Sequence, residues 1–341
     1  MSSPQPYSSD TSAASGVASL TPVADSARQG SLVDLTVYLV VRLAVCFVQA
    51  LRLETCETLA RGLAVLAADV LCLRSRVVHE NLQQVFPEMS LQQRQRIIRR
   101  MWAHLILMAC EIMHAPRKIH RQNWHQHVTI DQKRTFVRYL LDPRPTLIVS
   151  GHFGNFEMGG YITGLLGFPT FTVARTLDNP YLDRYVNRFR AANGQYIVDK
   201  DGSAIQLDRI LAAGDTLSLL GDQHAGPKGV WVDFCGRPAS CHKAIALFTL
   251  TSRAPMLVAY SLRAGRPLHF QVGLSGLVDP EALPDELSGV KPLTQWYNAR
   301  LETMIRSAPE QYWWLHRRWK EPPPGRRGMK TVAVSEERKS A

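Results

Sequence analysis

The chain has 341 residues, 45% of them hydrophobic and 20% charged, which suits a folded protein and is too polar for one with many membrane spans. A formal charge of +11 calls for an anionic partner: nucleic acid, an anionic membrane surface or a phosphorylated substrate. The six cysteines, at 46, 56, 72, 110, 235 and 241, form no CxxC pair and no regular framework, so free thiols in a reducing compartment are expected.

Residues 1–30 are rich in Ser, Ala and Pro and lack both the basic start and the apolar stretch of a signal peptide, so a disordered tail is expected there. Residues 31–75 read as a hydrophobic, membrane-associated helical segment. Within it, 32–51 (LVDLTVYLVVRLAVCFVQAL) is long enough to span a bilayer, and a second apolar stretch follows at 63–73. Arg42 stands near the middle of the first stretch, where an arginine costs about 2.5–3.5 kcal/mol on insertion scales. The segment is therefore read as an anchor that either spans or lies in the interface, with a helix packed on the globular domain as the plain alternative. Residues 76–320 form the main domain. Ser90 to Gln93 reads as a capping box opening a helix, and Ile97, Ile98, Met101, Leu105, Met108 and Ile112 then recur at helical spacing as a buried stripe. Arg94, Arg96, Arg99 and Arg100 mostly avoid that stripe, as a solvated face or as contacts to lipid phosphates.

From residue 145 the texture changes to short apolar runs separated by helical stretches. Strands are expected at 146–150, 171–175, 195–198, 216–220, 255–262 and 268–274, with helices at 156–166, 181–193, 203–213 and 240–252. The first, fourth and fifth runs are apolar almost throughout, as strands covered on both faces must be. The alternation predicts an α/β layered domain with a mostly parallel central sheet. Residues 321–341 read as a basic flexible tail.

The densest chemistry lies in Ser150-Gly151-His152-Phe153-Gly154-Asn155-Phe156-Glu157, where a buried strand delivers a histidine into a glycine-rich turn before a helix. A separation of five residues puts two side chains about 140° apart on a helix. His152 and Glu157 can converge if the histidine sits in the turn and the glutamate in the first helical turn. Neutral imidazole is the usual base for a hydroxyl near pH 7, and a carboxylate on its other nitrogen fixes the tautomer. Arg175 and Arg237 can each grip a phosphate or carboxylate with two hydrogen bonds. Asp222-Gln223 follows a strand, at the edge where α/β sheets bind ligands. Gly226, Gly229 and Gly236 suit a hairpin or a flap. Tyr312, Trp313, Trp314 and Trp319, set among basic residues, suit a membrane interface or the core.

GHFGNFE resembles the H-x4-D/E block of the lysophospholipid acyltransferase superfamily, and specifically of the bacterial lipid A secondary (lauroyl/myristoyl) acyltransferase family. Three further stretches resemble that family's blocks in order: Ala174 to Asp183, Gly221-Asp222-Gln223 with Gly229 to Ala239, and Pro309 to Lys320. The resemblance runs from residue 32 to residue 320. It implies a glycerolipid-acyltransferase-like fold and a fatty acyl transfer from an acyl carrier protein or CoA thioester to a hydroxyl of a lipid A precursor. His152 and Glu157 would be catalytic, and Arg175, Asn179, Asp222, Gln223, Gly229 and Arg237 would bind substrate, at the cytoplasmic face of the inner membrane. A lysophospholipid or other glycolipid acceptor, or a non-catalytic lipid-binding relative, is the alternative. Cys235 departs from the family's usual residue, and so do Ser240 to Lys243, which stand where the family's stretch can line an acyl pocket.

No cofactor is implied. His224, Cys235, Cys241 and His242 match no standard zinc spacing. A nucleic-acid binder lacks a zinc-finger, RNP or helix-turn-helix pattern here. A serine hydrolase would need G-x-S-x-G and a P-loop protein would need GK[ST], and the chain has neither.

Overall fold

The computed structural model describes residues 30–200 and 203–320. The expected tails, 1–30 (Gly30 aside) and 321–341, lie outside the described residues.

The N-terminal part is helical. Ser31 caps α1 (Leu32–Ala50) through a capping box with Asp34. α2 (Leu53–Val65) runs on into a π turn at Leu66–Val70, which accounts for the second apolar stretch. α3 (Ser75–Val85) leads to α4 (Leu91–Lys118), which opens on the expected Ser90–Gln93 capping box and closes on Arg117 and Lys118 at its negative end. Ile98, Met101 and Met108 are buried as the stripe predicts. So are His104, Glu111, His114 and Arg94, which the apolar pattern does not mark.

Beyond α4 the chain alternates strand and helix: β1 (Val128–Ile130), α5 (Lys133–Leu140), β2 (Thr146–Ser150), α6 (Phe156–Leu165), β3 (Thr170–Ala174), α7 (Pro180–Ala191), β4 (Gln195–Asp199), α8 (Ser203–Ala212) and β5 (Thr216–Leu220). A hairpin follows, β6 (Val230–Phe234) and β7 (Arg237–Cys241), and then α9 (Lys243–Thr251), β8 (Met256–Arg263), β9 (Phe270–Val278) and α10 (Val290–Ser307). The seven-stranded sheet has the order β1-β9-β8-β2-β5-β3-β4 and is parallel except between β8 and β9.

β2 lies at the centre, and Thr146 to Val149 are all buried, as a strand covered on both faces requires. Its neighbours are β8 and β5, and in the β5 pairing Ser150 stands opposite Leu220. Two residues past each of those positions come His152 and Asp222. Strand register therefore brings together two side chains that are far apart in sequence.

The Gly226–Gly236 region does form a hairpin. It is not a flap, because Phe234, Cys235 and Ala239 are buried in the main core. Gln295 and Glu302 of α10 bond the backbone of Asp233 and Cys235. Cys235 and Gly236 take φ values of 54° and 77° at its tip, so the departure at Cys235 falls on a tight turn. Trp314 is core, 1% exposed, whereas Trp313 is half-buried.

Candidate active site

His152 follows β2 in a turn that only glycine at position 154 allows. Gly154 has φ +60°, and a Cβ there would lie 2.1 Å from the Ser261 carbonyl oxygen of β8. The turn is held on both sides. The His152 carbonyl accepts from Trp313 N–H at 2.9 Å, Gly154 N–H donates to the Gln311 carbonyl at 2.8 Å, and Asn155 N–H donates to the Ser261 carbonyl at 2.8 Å. Asn155 then caps α6, its side chain accepting from Met158 N–H.

The carboxylate on the histidine is Asp222. Its Oδ1 lies 2.8 Å from His152 Nδ1 and its Oδ2 accepts the His152 backbone N–H at 2.9 Å. Asp222 is fully buried. Burial alone would raise its pKa, but the His152 charge and hydrogen bonds win, and it is held below the usual carboxylate range. An ionised carboxylate can only accept, so in the neutral ring Nδ1 carries the proton and Nε2 keeps a bare lone pair. That nitrogen faces Gln223, whose side-chain amide lies 3.4 Å away. Burial pushes the His152 pKa down, while the charges of Asp222 and Glu157 and the Asp222 hydrogen bond push it up, and the balance is a raised value. Phe156, Trp313 and His316 surround the ring at centroid distances of 5.0, 5.9 and 6.2 Å.

The expected pairing of Glu157 with the ring is not the one the structure holds. Glu157 lies in the first turn of α6 and forms a two-pronged ion pair with Arg190 of α7. Its charge still reaches His152 through space. The reason is topological: β5 is hydrogen-bonded beside β2 and delivers Asp222 under the turn, whereas the start of α6 points Glu157 towards α7. If that ion pair sets the position of α7, Glu157→Gln and Arg190→Met will each cost activity. The double variant will then lose no more than the worse single, because both remove one interaction. Initial rates of the four proteins form the cycle, and additive losses would show that the two residues act separately.

The other expected site residues are dispersed. Arg175 is exposed and paired with Asp178 at 2.7 Å. Asn179 is committed to structure. It caps α7 by accepting from Tyr181 and Leu182 N–H, and it donates to the Asp34 carbonyl of α1. Gly229 is a packing glycine, since a Cβ there would meet Ser240 Oγ at 2.1 Å. Arg237 stands exposed beside the tip of the β6–β7 hairpin, whereas it is the other end of that hairpin that meets the Asp222 turn.

Three residues were given no site role from the sequence. Arg318, 1% exposed, braces the turn after β5: it donates to the carbonyls of Gln223 (3.4 Å) and Ser240 (2.8 Å) and lies over the Phe234 ring. His316 shares a hydrogen bond with the Tyr312 hydroxyl. Burial first, then the charges of His152 and Arg318, push its pKa down against Asp222, which keeps it neutral. Arg190 carries no motif at all. The Pro309–Lys320 block pointed to the region of His316 and Arg318, though not to their roles. A cavity of about 430 Å³ opens between the end of α4, α6 and α7, with Ile119, Tyr161, Leu165 and Phe189 among its walls.

The family model described as "Bacterial lipid A biosynthesis acyltransferase" matches residues 29–321. The lipid A biosynthesis lauroyltransferase of Escherichia coli (strain K12) is 28% identical over 270 residues, covering 77% of this chain and 85% of that protein. The lipid A biosynthesis palmitoleoyltransferase of the same organism is 23% identical over 272 residues, covering 78% and 85%. Among solved structures, the 1-acyl-sn-glycerophosphate (LPA) acyltransferase PlsC from Thermotoga maritima aligns with a TM-score of 0.35 and 11% identity over 79% of this chain and all of that one, too distant to inform the site.

Proposed function

Since the chain belongs to the bacterial lipid A biosynthesis acyltransferase family and is thus an acyltransferase, we propose that it transfers a fatty acyl group from an acyl carrier protein or CoA thioester to a hydroxyl of a lipid A precursor, with His152 as general base. The observation that carries this reading is the His152–Asp222 pair, which in the neutral ring aims a bare Nε2 at the exposed Gln223.

The acceptor hydroxyl attacks the thioester carbonyl carbon while Nε2 takes its proton, and Asp222 stabilises the imidazolium that results. As the tetrahedral intermediate collapses, the C–S bond breaks and the imidazolium returns the proton to the leaving thiolate. A single direct transfer suffices, because a thiolate is a good leaving group. Glu157 acts at a distance, by its charge on the ring and by holding Arg190 and hence α7. The net charge of +11 suits an anionic acceptor and an anionic membrane surface, with the site at the cytoplasmic face of the inner membrane, where such thioesters are made available.

The test is direct. The purified chain in detergent is given labelled acyl-carrier-protein and CoA thioesters together with a lipid A precursor, beside His152→Ala. Acyl transfer that is lost in the variant is the expected result. His152-dependent transfer to a lysophospholipid but not to the precursor would replace the acceptor. Absence of transfer with every acceptor and both carriers would overturn the catalytic reading.

A further inference from the structure

α1 is built the wrong way round for a helix that faces water. Its protein-facing positions recur every three or four residues and carry its charged, phenolic and amide groups, Asp34, Tyr38, Arg42 and Gln49, between the apolar Leu35, Val41, Val45 and Val48. The opposite face carries Leu32, Val33, Val40, Leu43 and Phe47, which are 60–83% exposed. The hydroxyl on that side, Thr36, is turned back onto the Leu32 carbonyl. In α2 and the π turn after it, Leu59, Leu63, Leu66 and Val70 are exposed as well, so both helices turn apolar side chains outward. Apolar exteriors of this kind call for an apolar cover.

The attachments of α1 run its whole length. Near the start, the Asp34 carbonyl accepts from the Asn179 amide at 2.8 Å. Two turns on, the Arg42 guanidinium lies 4.7 Å from the centre of the Tyr185 ring and donates to the Tyr38 hydroxyl. Near the end, the Gln49 amide donates to the Met113 carbonyl, and His114 bonds the Val48 carbonyl. From Asp34 to Gln49 the helix rises about 22 Å, most of the ~30 Å thickness of a bilayer core. If α1 crossed that core, it would draw in α7 alongside, with Asp183, Arg184, Arg188 and Arg190. Hydrocarbon does not accept such a load of charge.

We propose that α1 is an in-plane strap. It lies along the surface of an anionic bilayer with its Leu32–Phe47 face among the lipid chains, and it does not cross. Arg42 is then no charge stranded at mid-membrane. It belongs to the protein side of the helix, seated on tyrosine. Arg52 and Arg61 are exposed but paired with Glu54 and Glu57, so the attraction to anionic lipid comes from the net charge of +11 and not from these two residues. The strap rests on the membrane association proposed above, but not on the acyl-transfer chemistry.

The experiment reads topology without using activity. In the full chain with Cys46 and Cys72 replaced by Ser, a single cysteine is introduced as Ser31→Cys or Arg52→Cys, one at each end of α1. Sealed right-side-out and inside-out membrane vesicles are then treated with a membrane-impermeant maleimide. The expected result is that both positions label from the same face. Labelling from opposite faces would overturn the strap while leaving membrane association intact. A second measurement follows binding of the purified full chain to phosphatidylglycerol vesicles, where Leu43→Asp is expected to weaken binding at least tenfold. If Leu43→Asp instead splits an oligomer and leaves vesicle binding unchanged, the cover is a second copy of this chain. If the unaltered chain fails to bind vesicles at all, the association itself fails.

Discussion

Asp222→Asn should lower kcat/KM by about 10³–10⁴-fold while leaving the fold intact, the scale seen when the carboxylate behind a catalytic histidine becomes an amide. Asp222 accepts two hydrogen bonds from His152, one from the backbone N–H and one from Nδ1–H. Asparagine has a single acceptor oxygen. If it serves the backbone N–H, its NH₂ faces Nδ1 and favours the tautomer in which Nδ1 is bare and Nε2 is protonated. A protonated Nε2 cannot act as a base. The pH profile should move as well. The His152 pKa is raised by Asp222 in spite of burial, so the imidazolium persists to higher pH and activity in the parent rises as pH climbs through that raised value. Without the carboxylate the rise should occur at lower pH, so the deficit of the variant should be smallest in acid. A steady-state profile of both proteins checks this. A variant with full activity, or with an unmoved acid limb, would remove Asp222 from the mechanism.

The His152–Asp222 pair is also where the sequence ceases to be legible. The block around His152 stands out because a histidine has little structural use where a buried apolar strand runs into glycines. Asp222 stands out only as a carboxylate at a strand end. That the two meet depends on β5 being the neighbour of β2 in the order β9-β8-β2-β5-β3, and no local spacing encodes that order. Glu157, five residues from His152, is the natural partner by spacing, yet the start of α6 turns it to Arg190. β2 to β5, β8 and β9 were legible as short apolar runs with α6 to α8 between them, whereas β1 and α5 went unread and the helix expected from 240 begins at Lys243, because 240 and 241 belong to β7. α10 was not legible, because its buried face includes Thr294 and Asn298 beside Leu293, Tyr297 and Leu301, which blurs the periodicity. The hidden face of α4 has the same cause, as its buried positions carry Arg94, His104, Glu111 and His114.

Arg263→Met should destabilise the protein by about 3–5 kcal/mol, the usual cost of removing one partner of a buried ion pair. Glu111 is fully buried on α4, and the Arg263 guanidinium grips both its oxygens at 2.6 and 2.7 Å. The same carboxylate accepts from the Asn155 amide and from Leu268 N–H, so all of its bonds are spent inside the protein. Arg263 also donates to His104 Nδ1 at 2.8 Å, which leaves Nε2–H to donate to the Gly154 carbonyl at 3.1 Å. Burial first, then the Arg263 charge, push the His104 pKa down to about 3, so it stays neutral in this role. The network therefore underlies the turn that presents His152, and Asn155 and Gly154 are its points of contact. Loss of Arg263 strands the Glu111 charge. Adding Glu111→Gln to Arg263→Met should recover part of the lost stability, because a neutral amide costs far less to bury than an unpaired carboxylate. Denaturant unfolding of the parent, the single variants and the double variant measures both effects. If Arg263→Met unfolds at the parental midpoint, Glu111 has found water or a proton, and the network does not carry the turn. If stability returns in the double variant but acyl transfer does not, the two functions of the network separate: charge compensation restores the fold, while the His104 bond to Gly154 remains necessary to place the base.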